Sequence, residues 1–309
     1  MIPNRKMVLA GGNGFLGRHL SAYFCALGWD VVVFTRQPKR QAPCRKNVVE
    51  AVWDGRTVGD WYAHLEGADV LVNLTGRNVN CRYTPENKRE ILRSRIDSVR
   101  VLGEALRRAD RPPPLWVQAS SLAIYGDSGD RVCTEESPAG QGFSVEVCRR
   151  WEQAFADSLL PGIRGVVLRT GFVLALGEGA LVPLENLTRC FLGGTIGDGR
   201  QWISWLHVND TVRAVHLLVV DEDLEGTFNL TAPQPVTNRE FMRQLRGVLK
   251  RPWTPPTPSW AVRLGAKAMR SEPELALSGR RCLPARLQEA GFIFNYPALN
   301  PALSALYGH

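Results

Sequence analysis

Three glycines and one arginine near the amino end carry the clearest chemistry in this 309-residue chain. The run Met7-Val-Leu-Ala-Gly11-Gly-Asn-Gly14-Phe-Leu-Gly17 passes from an apolar β-type segment, through glycines three apart, into a helix-like segment. This layout is a phosphate cradle. Gly11 permits a tight turn out of the strand, Gly14 lets the backbone approach a pyrophosphate, and Gly17 lets the helix pack close to the sheet. N–H groups of the first helical turn have no partner inside the helix and face the anion. The strand before and the helix after lift the pattern above an ordinary glycine-rich turn. The spacing therefore predicts a dinucleotide held by Gly11, Asn13, Gly14, Phe15, Leu16 and Gly17. The next strand ends at Phe34-Thr35-Arg36, with Lys39 and Arg40 just beyond. A site for the ribose 2′-hydroxyl of NAD places Asp or Glu here. Arg36 instead can pair bidentately with a 2′-phosphate and stack on adenine, so Thr35 and Arg36 point to NADP(H). The other reading of the basic run is a solvated loop.

Further groups invite weighing. Cys148 is followed by Arg149 and Arg150, which could lower its pKa, although a buried inert thiol is the commoner fate of such a residue. His207 stands at a helix start with Asp210 three residues on, which suits a structural hydrogen bond or proton transfer. Gly193-Gly-Thr-Ile-Gly-Asp-Gly-Arg-Gln-Trp202 is polar, glycine-rich and flexible. It reads either as a surface turn or as a lid that lays Arg200, Gln201 and Trp202 over a sugar or phosphate.

The elements that must position these groups alternate in kind. Strand candidates are 7–10, 31–34, 48–52, 70–74, 116–120, 165–168 and 227–230. Helix candidates are 15–27, 86–108, 144–158, 181–192, 208–220 and 238–249. Such alternation predicts a doubly wound α/β Rossmann fold, a parallel sheet covered on both faces by helices. After residue 249 the proline-rich Arg251-Pro-Trp-Thr-Pro-Pro-Thr-Pro258 breaks the pattern and short helical pieces follow. We therefore expect a cofactor-binding domain of residues 1–170 plus 206–249. A small, mostly helical lobe of residues 171–205 plus 250–309 would close over the carboxyl ends of the strands, where open sheets bind ligands.

Composition narrows the class. Hydrophobic residues make up 44% of the chain, enough for a large core. The net charge of +8 is spread along the sequence without an aromatic-interleaved basic stripe, so a phosphorylated ligand explains it without nucleic acid. The seven cysteines (25, 44, 81, 133, 148, 190 and 282) contain no Cys-x-x-Cys pair and read as reduced thiols of a cytoplasmic chain, not as a metal site. No apolar run approaches the ~20 residues of a membrane helix, and the amino end lacks the form of a signal peptide. Neither a membrane nor a nucleic acid is an expected partner; a small-molecule substrate is.

Several motifs resemble the extended short-chain dehydrogenase/reductases. They are the glycine loop, Asn73-Leu-Thr-Gly76, Ser120-Ser-Leu-Ala-Ile-Tyr-Gly126 and Leu168-Arg-Thr-Gly171. A narrower resemblance is to the atypical, epimerase-family proteins with a distinctive C-terminal domain. It is carried by Ser94-Arg-Ile96, Val147-Cys-Arg-Arg-Trp-Glu152, residues 193–202, Trp205-Leu-His-Val-Asn-Asp210, and Phe228-Asn-Leu-Thr-Ala-Pro-Gln-Pro-Val-Thr237. The tail segments Gly279-Arg-Arg-Cys-Leu-Pro284 and Gly291-Phe-Ile-Phe-Asn-Tyr-Pro297 agree. The resemblance implies a nucleotide-sugar-epimerase-like fold with NADP. It adds Leu74, Thr75, Gly76 and Arg95 to the expected cofactor set. The chain departs from that branch at Arg77, usually Glu, at Tyr83, often Trp, and at Ser121, usually Ala.

The resemblance also exposes a gap. Extended family members move a proton with Ser or Thr and a Tyr-x-x-x-Lys pair on one helical face, the lysine and the cofactor lowering the phenol's pKa. Aligning the family's following Glu with Glu152 puts Ser144 at the tyrosine position and Cys148 at the lysine position. A serine is too weak an acid, and a neutral thiol carries no positive charge. Ser121 remains as a hydrogen-bond partner for a substrate oxygen, unless it only satisfies a strand end. Tyr125 is the nearest surviving phenol, either an acid/base or loop packing. The two functional classes that follow are an NADP-dependent oxidoreductase or epimerase on a small polar substrate, nucleotide-linked sugars included, and a non-catalytic NADP(H)-binding sensor or interaction protein.

Overall fold

The computed structural model describes residues 5–37, 47–268 and 272–308; Lys39, Arg40 and Cys44 lie outside them. β1 (Lys6–Ala10) leads through the glycine loop into α1 (Phe15–Ala26), and β2 (Asp30–Thr35) and β3 (Val48–Val52) follow. β4 (Val70–Asn73) precedes the long α2 (Pro85–Leu106), and β5 (Leu115–Ser121) runs into a 3-10 turn, Leu122–Tyr125. Next come β6 (Val132–Cys133), α3 (Phe143–Ser158), β7 (Arg164–Thr170) and β8 (Phe172–Leu174). They are followed by α4 (Leu181–Arg189), β9 (Trp202–Ile203), β10 (Trp205–His207) and α5 (Val208–Val220). β11 (Gly226–Leu230), β12 (Val236–Thr237) and α6 (Asn238–Val248) complete the alternating part. The remainder holds α7 (Ser259–Ala268), α8 (Glu274–Leu277), β13 (Arg281–Cys282), α9 (Ala285–Glu289) and α10 (Leu299–Tyr307).

The strands read from the sequence are those of one parallel sheet, in the order β11-β7-β5-β4-β1-β2-β3. Chain direction across the sheet reverses at β1, between β4 and β2. This is the switch point at which open sheets accept ligands beyond their carboxyl ends. Alternation builds two cores from one strand. Met7 and Leu9 of β1 pack with Leu20 and Phe24 of α1, Val215 of α5 and Phe241 of α6. Val8 and Ala10 pack on the other face with Leu102 of α2 and Trp151 and Phe155 of α3. The long helix α2 starts at Thr84, whose hydroxyl accepts the Asn87 N–H at 3.3 Å, with Pro85 at the first helical position.

Helix α4 stops earlier than its apolar pattern suggested. Phe191 takes φ +60°, the Leu192 N–H returns to the Leu187 carbonyl at 2.8 Å, and the Phe191 N–H to Thr188 at 3.1 Å. This is a Schellman stop with a phenylalanine in the place glycine usually fills. The segment 193–202, read as a surface turn or a flexible lid, is stapled. Thr257 exchanges main-chain bonds with Thr195 and Gly197, Arg246 holds the Gly193 carbonyl at 2.7 Å, and Asn238 holds the Ile196 N–H at 2.8 Å. Leu287, Leu299, Ala302 and Leu303 of the carboxyl-terminal segment sit in the same core as Leu9 and Phe228. None of the described helices is long and apolar enough to cross a membrane.

Candidate functional site: a cradle and cleft at the sheet switch point

The glycine loop has the geometry its spacing predicted. Gly11 has φ +78°, and a Cβ there would lie 3.1 Å from the main chain of Leu74 and Thr75. A Cβ on Gly17 would lie 2.4 Å from the Gly12 carbonyl oxygen, so the close approach that Gly17 permits is of helix to the loop itself rather than to the sheet. A Cβ on Gly14 would meet only the Gly11 carbonyl oxygen, at 3.2 Å, which leaves the cradle open on that side. No side chain caps α1 and no acidic residue lies in its first turn, so its partial positive end is unspent. The Asn13 amide donates to Thr35 Oγ1 at 2.8 Å and ties the loop to the end of β2. Arg36 follows, exposed. Asp54, two residues past β3, is engaged by the Arg56 and Thr57 N–H groups and the Thr57 hydroxyl.

The loop after β4 faces the glycine loop. Asn73, fully buried, accepts the Thr75 N–H at 3.0 Å and donates to Gln118 at 3.0 Å, which sets the turn. Thr75 Oγ1 is buried with no hydrogen-bond partner among the described residues. A native buried hydroxyl is normally paired. An orphan beside an open phosphate cradle fits a dinucleotide that lies across both loops. Arg95, expected among the cofactor contacts, braces this loop from beneath. Its Nη1 donates to the Arg77 and Ile91 carbonyls at 3.1 and 2.9 Å, its guanidinium stacks on Trp151, and Gly76 lies directly over it.

A cleft of about 350 Å3 opens at the carboxyl ends of β5 and β7. Phe15 and Leu16 form one wall, Ser121 and Gly171 the floor, and Trp202, Ser204, Leu275 and Arg280 the opposite side. Ser121 is thus brought to the glycine loop. Its Oγ accepts the Ala123 N–H at 3.2 Å and makes one long bond, 3.4 Å, to the Thr170 carbonyl. Of the expected lid residues, only Trp202 lines the cleft. Arg200 is exposed, with its N–H on Asp198, and Gln201 donates to the Ile196 and Ala276 carbonyls. Both positions are corrected for one reason: the stapled segment turns them away.

The expected acid/base groups are sealed. Tyr125 is fully buried and absent from the cleft wall. Its hydroxyl donates to Asn229 Oδ1 at 2.8 Å and accepts from Arg169 at 2.9 Å. Burial, opposed by Arg169, pushes its pKa up to about 12. Arg169 in turn forms a bidentate pair with Glu152 at 2.9 and 3.0 Å, and Ser120 donates to the same carboxylate at 2.6 Å. The phenol is a structural member of this network, not a proton donor to the cleft. Cys148 takes the second of its two readings, a buried inert thiol. Arg149 and Arg150 are exposed, and burial followed by the Glu152 charge pushes the thiol up to about 11. The His207 Nδ1 accepts the Asn209 N–H at 3.1 Å, and Asp210 accepts the Asn295 and Tyr296 N–H groups. Both fix the chain around α5. Sequence reasoning missed Arg280, because nothing local in the tail motif of residues 279–284 signals that the residue before β13 lines this cleft.

Comparison with known proteins agrees with this geometry. Residues 7–158 match the NAD dependent epimerase/dehydratase family, and residues 257–306 match a domain of unknown function, DUF1731. The epimerase family protein YfhF of Bacillus subtilis is 33% identical over 97% of each chain. The human epimerase family protein SDR39U1 is 31% identical over 97% of this chain. The crystal structure of human SDR39U1 (isoform 2) with NADPH superposes with a TM-score of 0.86 and 29% identity, covering 98% of this chain and 99% of that one. A nucleoside-diphosphate sugar epimerase from Corynebacterium glutamicum gives a TM-score of 0.78 and 30% identity over 99% of this chain and 59% of its own.

Proposed function

Because the chain belongs to the NAD-dependent epimerase/dehydratase family, we propose that it is an NADP(H)-dependent oxidoreductase or epimerase-like protein acting on a small polar substrate. The observation that carries this reading is the open cradle at Gly14, tied through Asn13 and Thr35 to an exposed Arg36. The NADPH named with human SDR39U1 supports the same cofactor here. Gly11, Gly14 and the first turn of α1 would hold the pyrophosphate, Thr35 and Arg36 the 2′-phosphate end, and Thr75 would find its missing partner. Arg95 would hold the loop of Leu74, Thr75 and Gly76 in place. When bound, NADP(H) supplies or accepts a hydride. Ser121 would hydrogen-bond the reacting carbonyl or hydroxyl oxygen, since its long bond to Thr170 is easily exchanged. Trp202 would cover the substrate.

One observation favours a second reading, in which the cofactor is bound without turnover. Among the described residues the cleft wall holds no lysine or tyrosine, and Tyr125 and Cys148 are locked away from it. Purified protein with NADPH and a panel of aldehydes, ketones and keto-sugars separates the two. We expect slow cofactor oxidation that falls about tenfold in Ser121→Ala, the scale of one lost transition-state hydrogen bond. Tight NADPH binding with no oxidation across the panel would favour the sensor.

A further inference from the structure

We propose that Arg280 anchors an oxyanion, the phosphate or carboxylate of the substrate, in the cleft between the glycine loop and the carboxyl-terminal segment. The proposal rests on the reading of this cleft as the substrate end of an NADP(H) site. It comes from a count of the donors that the cleft still has to offer. Among the described residues on the wall, Arg280 is the one charged side chain and none is Asp or Glu.

The neutral donors on the wall already have protein acceptors, Ser121 and Thr170 through long 3.4 Å bonds and the others through shorter ones. Ser204 donates to the Arg280 carbonyl at 2.8 Å and accepts the Cys282 N–H at 2.8 Å. Ser278 donates to the Glu274 carbonyl, Thr170 to the Leu168 carbonyl, and the Trp202 indole to Asp130 at 2.8 Å. A neutral sugar would find few free hydroxyls here. Arg280 contributes only its Nε–H to the protein, to the Gly126 carbonyl at 3.2 Å. Among the described residues it has no carboxylate partner. Four terminal N–H groups remain in the planar fork that matches a carboxylate or phosphate.

The fork is held in position. The Arg280 N–H bonds the Trp202 carbonyl at 3.0 Å, and Gly279 lies so close to Trp202 that a Cβ would come within 2.3 Å of its nitrogen. Arg281 stacks 4.4 Å over the Trp202 ring and adds positive charge beside the wall. The Arg280 charge is felt at Cys148, the position where the resembled enzymes carry their lysine. A half-buried cation without a counter-ion, over a floor that holds Ser121, calls for an anionic ligand.

The test is arginine modification by phenylglyoxal, read residue by residue with mass spectrometry. NADPH alone should slow modification of Arg36, which checks the cofactor reading. With NADPH saturating, inorganic pyrophosphate or malonate should slow modification of Arg280 about tenfold and leave Arg200 unchanged. Protection by pyrophosphate alone assigns a phosphorylated substrate, and protection by malonate alone a carboxylate. By calorimetry, Arg280→Gln should keep its NADPH affinity and lose about tenfold in affinity for the protecting anion. Arg280 reacting at one rate with and without both anions, while Arg36 is protected, overturns the proposal. Loss of Arg36 protection alone overturns the cofactor reading, and Arg280 is still scored independently.

Discussion

The glycine-loop end of the cleft and the buried network around Arg169, which does not line the cleft, are held by different kinds of atoms. At the glycine-loop end the shape is set by main chain and by missing side chains: Gly11 in the left-handed region, Gly17 against Gly12, open space at Gly14. That end keeps unspent donors in the first turn of α1 and an unpartnered Thr75 hydroxyl. In the network the side chains are largely saturated. Arg169, Glu152, Tyr125, Ser120 and Asn229 satisfy one another, and Glu135, whose Oε1 accepts the Asn229 N–H, leaves its Oε2 without a partner among the described residues. An unsatisfied region is ready for a ligand, whereas a satisfied one contributes stability. The comparison teaches that the atoms that bind and the atoms that stabilise are separable in this fold.

The largest effect should come from breaking the network. Arg169→Ala leaves Glu152 charged and half-paired, and should lower stability by about 3 kcal/mol in urea denaturation. NADPH affinity should move little. An equal loss of affinity would mean that the two regions are coupled. The next largest effect sharpens the open end. Gly14→Val should weaken NADPH about a hundredfold, or about 2.7 kcal/mol, with an unchanged circular dichroism spectrum. Retained binding would remove the cradle from the account. Tyr125→Phe is milder. It removes one buried hydroxyl and should lower stability by about 1 kcal/mol while any turnover persists. Turnover abolished at unchanged stability would return the phenol to the chemistry.

The same contrast explains what could be read in the sequence. Gly11, Gly14 and Gly17 announce their geometry because only glycine satisfies it, and the seven apolar runs announce the strands because both faces of the sheet are buried. The ends of α4 and of the lid were less legible. Phe191 adopts a positive φ that its type does not suggest, and the staples on residues 193–202 come from Thr257, Asn238 and Arg246. Tyr125 looked available because its partners, Asn229 and Arg169, are distant in sequence and adjacent only across β11 and β7. Arg280 was hidden for the same reason.

The smallest predicted effect is on pH dependence. Burial holds the His207 imidazole below its ordinary value of 6.5, and its Nδ1 must stay unprotonated to accept the Asn209 N–H. The unfolded chain therefore takes up a proton first on acidification. This contribution is complete above about pH 6.5 and declines below it, towards the lower folded pKa. Burial pushes His64 and His216 in the same direction. Denaturation midpoints compared at about pH 7.5 and about pH 5 should fall on acidification, with a shallower fall in His207→Asn, which keeps a capping acceptor. An unchanged slope would place the titration elsewhere.

The central claim is an NADP(H) site whose selectivity is set at the end of β2. Calorimetric titration of the wild-type protein and Arg36→Ala with NADPH and with NADH tests it most directly. We predict that NADPH binds the wild type at least about tenfold more tightly than NADH, a difference of about 1.4 kcal/mol, and that Arg36→Ala erases most of that ratio. Equal affinities in the wild type, or a ratio unchanged by the substitution, would contradict the account.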